Sequence, residues 1–219
     1  MSKIILSQSQ YNDTLYSGLQ GIIMKRAHVQ LEKKINNKKK YNNVLEIGAG
    51  WHPHLNYIKH NYSLYHILET NKETKKIYEN KKKVKHFTYD GKKLPFKDNY
   101  FDRIIICHCL EHINYPEEFL TKMMSKLKRG GKLSISLPAD PGFLWRLGKF
   151  YVKHFIATNS TKMTKQEYSY FSAVEHVNSI FNLISIIRYK YKGKIEEQFL
   201  PLSLPIIDLN LIYNVTITK

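Results

Sequence analysis

The sequence has little cysteine and no long apolar run. Its two cysteines, Cys107 and Cys109, are one residue apart. If that segment is a strand, the two side chains share a face and cannot form a relaxed disulfide. Nor is the spacing that of a C-x-x-C metal or redox pair. We therefore expect reduced thiols and a cytoplasmic protein. No stretch of 18 apolar residues occurs and the N-terminus lacks the apolar core of a secretory signal, so we expect no membrane span.

Arginine is also scarce, although the chain is strongly basic. Lys and Arg total 35 against 18 Asp and Glu, a formal net charge of +17. Such a charge suits nucleic acid, an acidic membrane surface or an anionic substrate. Here it comes mostly from lysine tracts mixed with Asn, Ile and Tyr, as an AT-rich genome would encode. Arginine is the residue suited to bidentate recognition of phosphates and bases. A nucleic-acid partner is therefore an alternative that the composition does not favour.

The order of apolar runs predicts an α/β fold. Short runs rich in β-branched and aromatic residues indicate buried strands at 43–48, 64–69, 84–89, 101–107 and 132–138. Helices are predicted over about 18–36, 72–80, 116–131, 141–155 and 178–188, and two late strands over 189–200 and 208–218. Strands and helices that alternate give a parallel sheet covered on both faces. We predict one doubly wound, Rossmann-like sheet of seven strands, mostly parallel with an antiparallel edge strand.

The stretch VLEIGAG, residues 44–50, falls at the end of the first predicted strand. Gly48 and Gly50 allow a sharp turn and let a ligand approach bare backbone. Dinucleotides and S-adenosylmethionine both bind at this place in such sheets. A dinucleotide usually requires G-x-G-x-x-G, whereas Pro53 occupies the third glycine position here. S-adenosylmethionine carries no phosphate and does not need that arrangement.

Acidic residues follow the next two predicted strands. Glu69 ends the second strand, where a carboxylate can accept hydrogen bonds from both ribose hydroxyls. Asp90 and Gly91 follow the third strand, where an acid can accept from the adenine amino group. The sequence HCLEHI, residues 108–113, follows the fourth strand. Acids at successive strand ends lie at one edge of a parallel sheet, which favours a nucleoside-containing cofactor.

Five motifs in order give the chain a family resemblance: VLEIGAG, ETN at 69–71, DGKKLPFKDNYFDRII at 90–105, HCLEHI and LKRGGKLSISLP at 127–138. The chain resembles the class I S-adenosylmethionine-dependent methyltransferases, of the small, single-domain, type-11-like kind. The resemblance implies a single domain over 1–219, with an N-terminal helical lid at 1–40 and substrate-side helices at 139–190. It also implies cofactor contacts from Glu46, Gly48, Ala49, Gly50, Glu69, Thr70, Asp90, Gly91 and His108. No metal is predicted.

Candidate bases and acceptor contacts lie outside the glycine motif. A hydroxyl acceptor needs a base to take its proton, whereas a phosphate or carboxylate oxygen does not. The candidate catalytic residues are His108, ranked first because it would lie near the transferring methyl group, then His176, His112 and Glu175. Tyr11, Asp140 and Arg146 are the candidate acceptor contacts.

The leading prediction is O-methylation of a small, anionic or phosphorylated metabolite. A precursor of a bacterial surface glycan in capsule or lipopolysaccharide biosynthesis, including a phosphoramidate-type precursor, is the acceptor class we expect. An RNA or protein methyltransferase that uses the basic surface is the main alternative. An NAD(P)-dependent oxidoreductase and a catalytically silent cofactor-binding subunit are further alternatives.

Overall fold

The computed structural model describes residues 18–90, 94–156 and 164–219, without the side chains of Leu19, Ile156 and Phe171. Two predicted contacts, Tyr11 and Gly91, lie outside these residues. The helices are α1 (Gly18–Lys33), α2 (Pro116–Lys126), α3 (Phe143–Tyr151), α4 (Lys165–Glu175) and α5 (Ile180–Lys190). The strands are β1 (Tyr41–Ile47), β2 (Tyr62–Glu69), β3 (Val84–Thr88), β4 (Phe101–Cys107), β5 (Leu127–Pro138), β6 (Ile195–Leu200) and β7 (Ile212–Thr218). A π-helical turn, Val152–Ile156, follows α3.

The seven strands form one sheet in the order β3-β2-β1-β4-β5-β7-β6. The first five strands pair in parallel, and β7 runs antiparallel to both β5 and β6. Chain order reverses at β1, which has β2 on one side and β4 on the other. The predicted fold class, a mostly parallel sheet of seven strands with antiparallel pairing at one edge, is therefore confirmed.

Alternate residues of the central strands pack into two different cores. In β4, Ile104 and Ile106 face the core that α2 and α5 cover, whereas Ile105 and Cys107 face the core that contains Leu31 of α1. A strand buried on both faces has a continuous apolar run instead of an alternating one. This explains why FDRIIIC forms a central strand.

Two predicted helices differ from the observed elements, and one observed helix was not predicted. The segment predicted as a helix over 72–80 is a 3-10 helix, Lys72–Tyr78, which Asn71 caps by accepting from the N–H of Glu73. The helix predicted to end at Gly130–Gly131 stops at Lys126, because Leu127 already pairs with Phe101. Helix α4 was not predicted. Its capping box, formed by Thr164 and Glu167, is the sequence signal that marks its start.

The described residues contain no helix that is both long enough and apolar enough to cross a lipid bilayer.

Candidate functional site

The loop after β1 has the backbone that its glycines require. Gly48 has φ +67° and Gly50 has φ +51°, which is the left-handed region. The Gly48 N–H donates to the Leu68 carbonyl at 2.9 Å, so the loop starts as a continuation of the sheet. A Cβ on Gly48 would lie 2.6 Å from Cys109 Sγ. The loop therefore passes close to the turn that follows β4, and Ala49 between the glycines is buried.

Glu69 joins this loop to the end of β2. Its Oε2 accepts from the Gly50 N–H at 2.9 Å, and its Oε1 accepts from the N–H groups of Thr70 and Asn71 at 2.7 and 3.0 Å. The Thr70 hydroxyl also donates to Oε1, at 3.1 Å. Thr70 thus positions Glu69, and Oε2 retains capacity to accept a further hydroxyl. Asp90 is exposed directly after β3 at the same sheet edge.

Glu46 lies beneath the loop. Its carboxylate accepts from the N–H groups of His54 and Leu55 and from the Tyr65 hydroxyl, the last at 2.6 Å. Burial raises the pKa of Glu46 to about 7, against the lowering effect of these hydrogen bonds. Glu46 thus braces the chain that follows the glycines, and its contact with the cofactor stays a prediction.

The turn after β4 presents His108. This residue has φ +50°, and its N–H donates to the Ser136 carbonyl at 2.9 Å. Its Nε2 is buried without a hydrogen-bond partner among the described residues, and so is Nε1 of Trp51. Burial, together with the nearby His176 and His112, lowers the pKa of His108 to about 3. His108 is therefore a neutral and weak base at neutral pH, which argues against ranking it first.

His176 has the geometry of an oriented base. Its Nδ1 lies 2.7 Å from Oδ2 of Asp140, and the same oxygen accepts from Lys149 Nζ at 2.6 Å. Burial lowers the pKa of His176, but the hydrogen bond to Asp140 and the nearby Glu111 and Glu175 outweigh it, so the pKa is raised overall. Burial raises the pKa of Asp140, and its bonds to His176 and Lys149 outweigh this effect and lower it.

Backbone hydrogen bonds bring the two histidine-containing turns together. The N–H groups of Val177 and Asn178 both donate to the Glu111 carbonyl at 3.1 Å. The rings of His112 and His176 are consequently 5.1 Å apart, centre to centre. His112 Nδ1 lies 2.6 Å from the Glu175 carbonyl oxygen, which engages the Glu175 main chain and not its carboxylate.

The two candidate acceptor contacts that the structure describes lie in different surroundings, and both stay predictions. Asp140 lies beside His176, whereas Arg146 is exposed on α3. Lys149, one turn further along α3, makes the ion pair with Asp140. Lys149 could not be singled out from the sequence, because one lysine among many carries no distinguishing signal.

Comparisons with known proteins agree on one class. The family described as "Methyltransferase domain" matches residues 45–135. An uncharacterised protein of Methanocaldococcus jannaschii is 37% identical over 84 residues, 38% of this chain and 39% of that protein. The ubiquinone/menaquinone biosynthesis C-methyltransferase of Stutzerimonas stutzeri is 38% identical over 52 residues, 24% of this chain and 20% of that protein. The chain thus spans well under half the length of either relative.

Solved structures show the same fold over nearly the whole chain. A SAM-dependent methyltransferase from Archaeoglobus fulgidus has a TM-score of 0.65 at 15% identity and covers 97% of this chain and 100% of its own. The plantazolicin methyltransferase in complex with S-adenosylhomocysteine has a TM-score of 0.61 at 14% identity and covers 98% of this chain and 89% of its own. S-adenosylhomocysteine is the product that remains when S-adenosylmethionine gives up its methyl group.

The fold is that of S-adenosylmethionine-dependent methyltransferases. Residues 45–135, which hold the glycine loop, Glu69 and His108, match the methyltransferase domain family. The residues present fit the cofactor. The loop backbone at Gly48 and Gly50 is bare, Glu69 Oε2 can accept a ribose hydroxyl, and the buried Nε1 of Trp51 and Nε2 of His108 border the loop without partners among the described residues.

Proposed function

We propose that this chain methylates a hydroxyl oxygen of a small, anionic acceptor. The observation that carries the proposal is the 2.7 Å contact between His176 Nδ1 and Asp140 Oδ2 beside the turn that holds His108. When bound, S-adenosylmethionine supplies an electrophilic methyl group on a sulfonium. The protein then has to orient the acceptor and remove its proton, and well-oriented reactants gain about 7–11 kcal/mol from proximity.

His176 is the residue we propose as the proton acceptor. Asp140 holds Nδ1 in its protonated form, which leaves the Nε2 lone pair for the acceptor hydroxyl. Asp140 also stabilises the imidazolium that forms when Nε2 takes the proton. His108 and His112 shape the same space, and a base of this kind typically contributes about 10²–10⁴ in rate.

Lysines beside the Asp140–His176 pair support an anionic acceptor. A pocket of about 270 Å³ lies between α4 and the segment formed by α3 and the π-helical turn. It is lined by Lys149, Phe150, Lys153, Tyr168, Ser169, Ser172 and Ala173. Lys149 also contacts Asp140, so the pocket adjoins the proposed base. A sugar phosphate or nucleotide sugar, of the type used in surface-glycan biosynthesis and including phosphoramidate-type precursors, is the acceptor class we propose. We further propose that the whole chain acts as one domain.

Turnover measurements with matched variants test the proposal. The protein is incubated with S-adenosylmethionine and a panel of sugar phosphates and nucleotide sugars, and S-adenosylhomocysteine is quantified. His176→Ala should lower kcat about 10²–10⁴-fold and leave cofactor affinity unchanged. His154→Ala is the control, because His154 lies in the π-helical turn and its Nδ1 contacts the Phe150 carbonyl oxygen. Normal turnover in His176→Ala would show that His176 is not the base.

The pH profile gives a separate readout. The pKa of His176 is raised, so kcat/KM should climb as pH rises through a value above 6.5, where the imidazole loses its proton. Asp140→Asn removes the interaction that raises this pKa, so the climb should move to lower pH while the maximal rate falls. Turnover with RNA, protein or a quinol, and with no anionic sugar, would contradict the acceptor class.

A further inference from the structure

Three metal-ligating side chains meet where α1 packs on the end of the sheet. They are His28 of α1, His54 after the glycine loop and Cys107 at the end of β4. Their ligand atoms all lie within 4.8 Å of one another, and all three residues are buried. Nδ1 of His28 is 2.8 Å from Nδ1 of His54, which is 3.7 Å from Cys107 Sγ.

The separations are close to those of a tetrahedral zinc site. Zinc binds imidazole nitrogen at about 2.0–2.1 Å and thiolate sulfur at about 2.3 Å, which places two ligand atoms about 3.3–3.6 Å apart. The distance from His54 to Cys107 already agrees with this geometry. The two imidazole nitrogens need to separate by about half an ångström for a cation to enter between them.

The surroundings orient His54 as a ligand. Its Nε2 lies 2.7 Å from Oε1 of Glu32, which also forms an ion pair with Arg103 at 2.6 Å. Nε2 therefore donates to the carboxylate, and the Nδ1 lone pair faces His28 and Cys107. A carboxylate behind the second ring nitrogen is the usual support of a metal-bound histidine.

The ligand set suits a divalent cation. Two imidazole nitrogens and one sulfur would face the cation, and the Cys107 thiol would lose its proton on binding, because a coordinating thiol is deprotonated outright.

We propose that His28, His54 and Cys107 form a zinc site that fastens α1 to the cofactor end of the sheet. Two imidazoles and one thiolate are the ligand set that zinc prefers over magnesium or calcium, and a fourth position remains for water. This revises the expectation of no metal. The site does not depend on the proposed methyl-transfer chemistry, because its ligands are separate residues from the Asp140–His176 pair.

Cobalt substitution tests the site directly. Untagged protein is stripped with a chelator and titrated with Co²⁺ alone, then with Zn²⁺ in competition. The wild type should bind one equivalent with a near-ultraviolet thiolate-to-cobalt charge-transfer band, and Zn²⁺ should abolish the band. Cys107→Ser should lose the band and Cys109→Ser should keep it. Zn²⁺ should also raise the melting temperature of the wild type.

The matched variants distinguish this site from a second group of potential ligands. Glu111, His112 and His176 also have ligand atoms within 4.8 Å of one another, but this group has no sulfur and cannot give the band. If Cys107→Ser fails to fold, Cys109→Ser still identifies the sulfur ligand, because the chain has only these two cysteines. A band that persists in Cys109→Ser must come from Cys107. No band in the wild type, or a band lost in Cys109→Ser, would overturn the proposal. His28 and His54 would then be a hydrogen-bonded pair without a metal.

Discussion

Replacing Glu32 by Gln should be among the most destabilising single substitutions in this protein. The Glu32 side chain is 1% exposed and that of Arg103 is 0% exposed, and their charged atoms are 2.6 Å apart. Gln keeps the size of the side chain but removes its charge, so Arg103 remains buried without its counter-ion. Breaking a buried pair from one side costs about 3–5 kcal/mol.

The pKa of Glu32 leads to a similar magnitude. Burial alone would raise this pKa, but the hydrogen bond from His54 and the charge of Arg103 outweigh it and lower it from 4.5 to about 2. A difference of about 2.5 units corresponds to about 3 kcal/mol at neutral pH. Because the folded pKa is lowered, this contribution is present above pH 4.5 and is lost as the pH falls towards 2.

Urea unfolding of metal-free protein, followed by circular dichroism, measures the loss. Glu32→Gln should lower the free energy of unfolding by about 3 kcal/mol at pH 7, with a smaller difference at pH 3. Glu196→Gln is the control, because Glu196 is half exposed and its pair with Lys34 spans 3.6 Å. That variant should change stability by less than about 1 kcal/mol. A loss below about 1 kcal/mol for Glu32→Gln, or one that does not depend on pH, would refute the reasoning.

Two further substitutions test the cofactor loop. Gly48→Ala places a side chain at φ +67° against Cys109 Sγ, whereas Gly193→Ala places one at a similar φ of +75° in open space. Both variants should lose about 1–2 kcal/mol of folding free energy because of the backbone conformation. Gly48→Ala should lose about 1–3 kcal/mol more, because its side chain overlaps Cys109. Equal losses by urea unfolding would show that the loop does not approach Cys109. Glu69→Ala should weaken S-adenosylmethionine binding about tenfold to a hundredfold by calorimetry, since hydrogen bonds to a charged group contribute about 1.5–3 kcal/mol. Glu73→Ala, an exposed neighbour, should bind normally, and unchanged affinity in Glu69→Ala would contradict the ribose assignment.

The sheet and the cofactor end could be predicted from the sequence because their signals are local. Five apolar runs mark the parallel strands, and parallel strands place their carboxyl ends at one edge. The sequence alone therefore places Gly48, Glu69 and His108 at one edge of the sheet. Gly48 and Gly50 are also local signals, because the left-handed backbone at these two positions favours glycine.

The rest depends on partners that lie far apart in the chain. The pairing of Asp140 with His176 and Lys149 joins three segments whose separate sequences carry no common spacing. The group of His28, His54 and Cys107 likewise has no motif, because its members come from a helix, a loop and a strand end that only the fold brings together. Composition showed an excess of lysine but could not show which lysine would contact an acid.

Calorimetric titration with S-adenosylmethionine, S-adenosylhomocysteine, NAD and NADP tests the central claim most directly. A glycine loop without a third glycine, together with the proposed ribose contact of Glu69, predicts micromolar binding of the two sulfur compounds and none of either dinucleotide. Binding of NAD or NADP, or of none of the four, would contradict it.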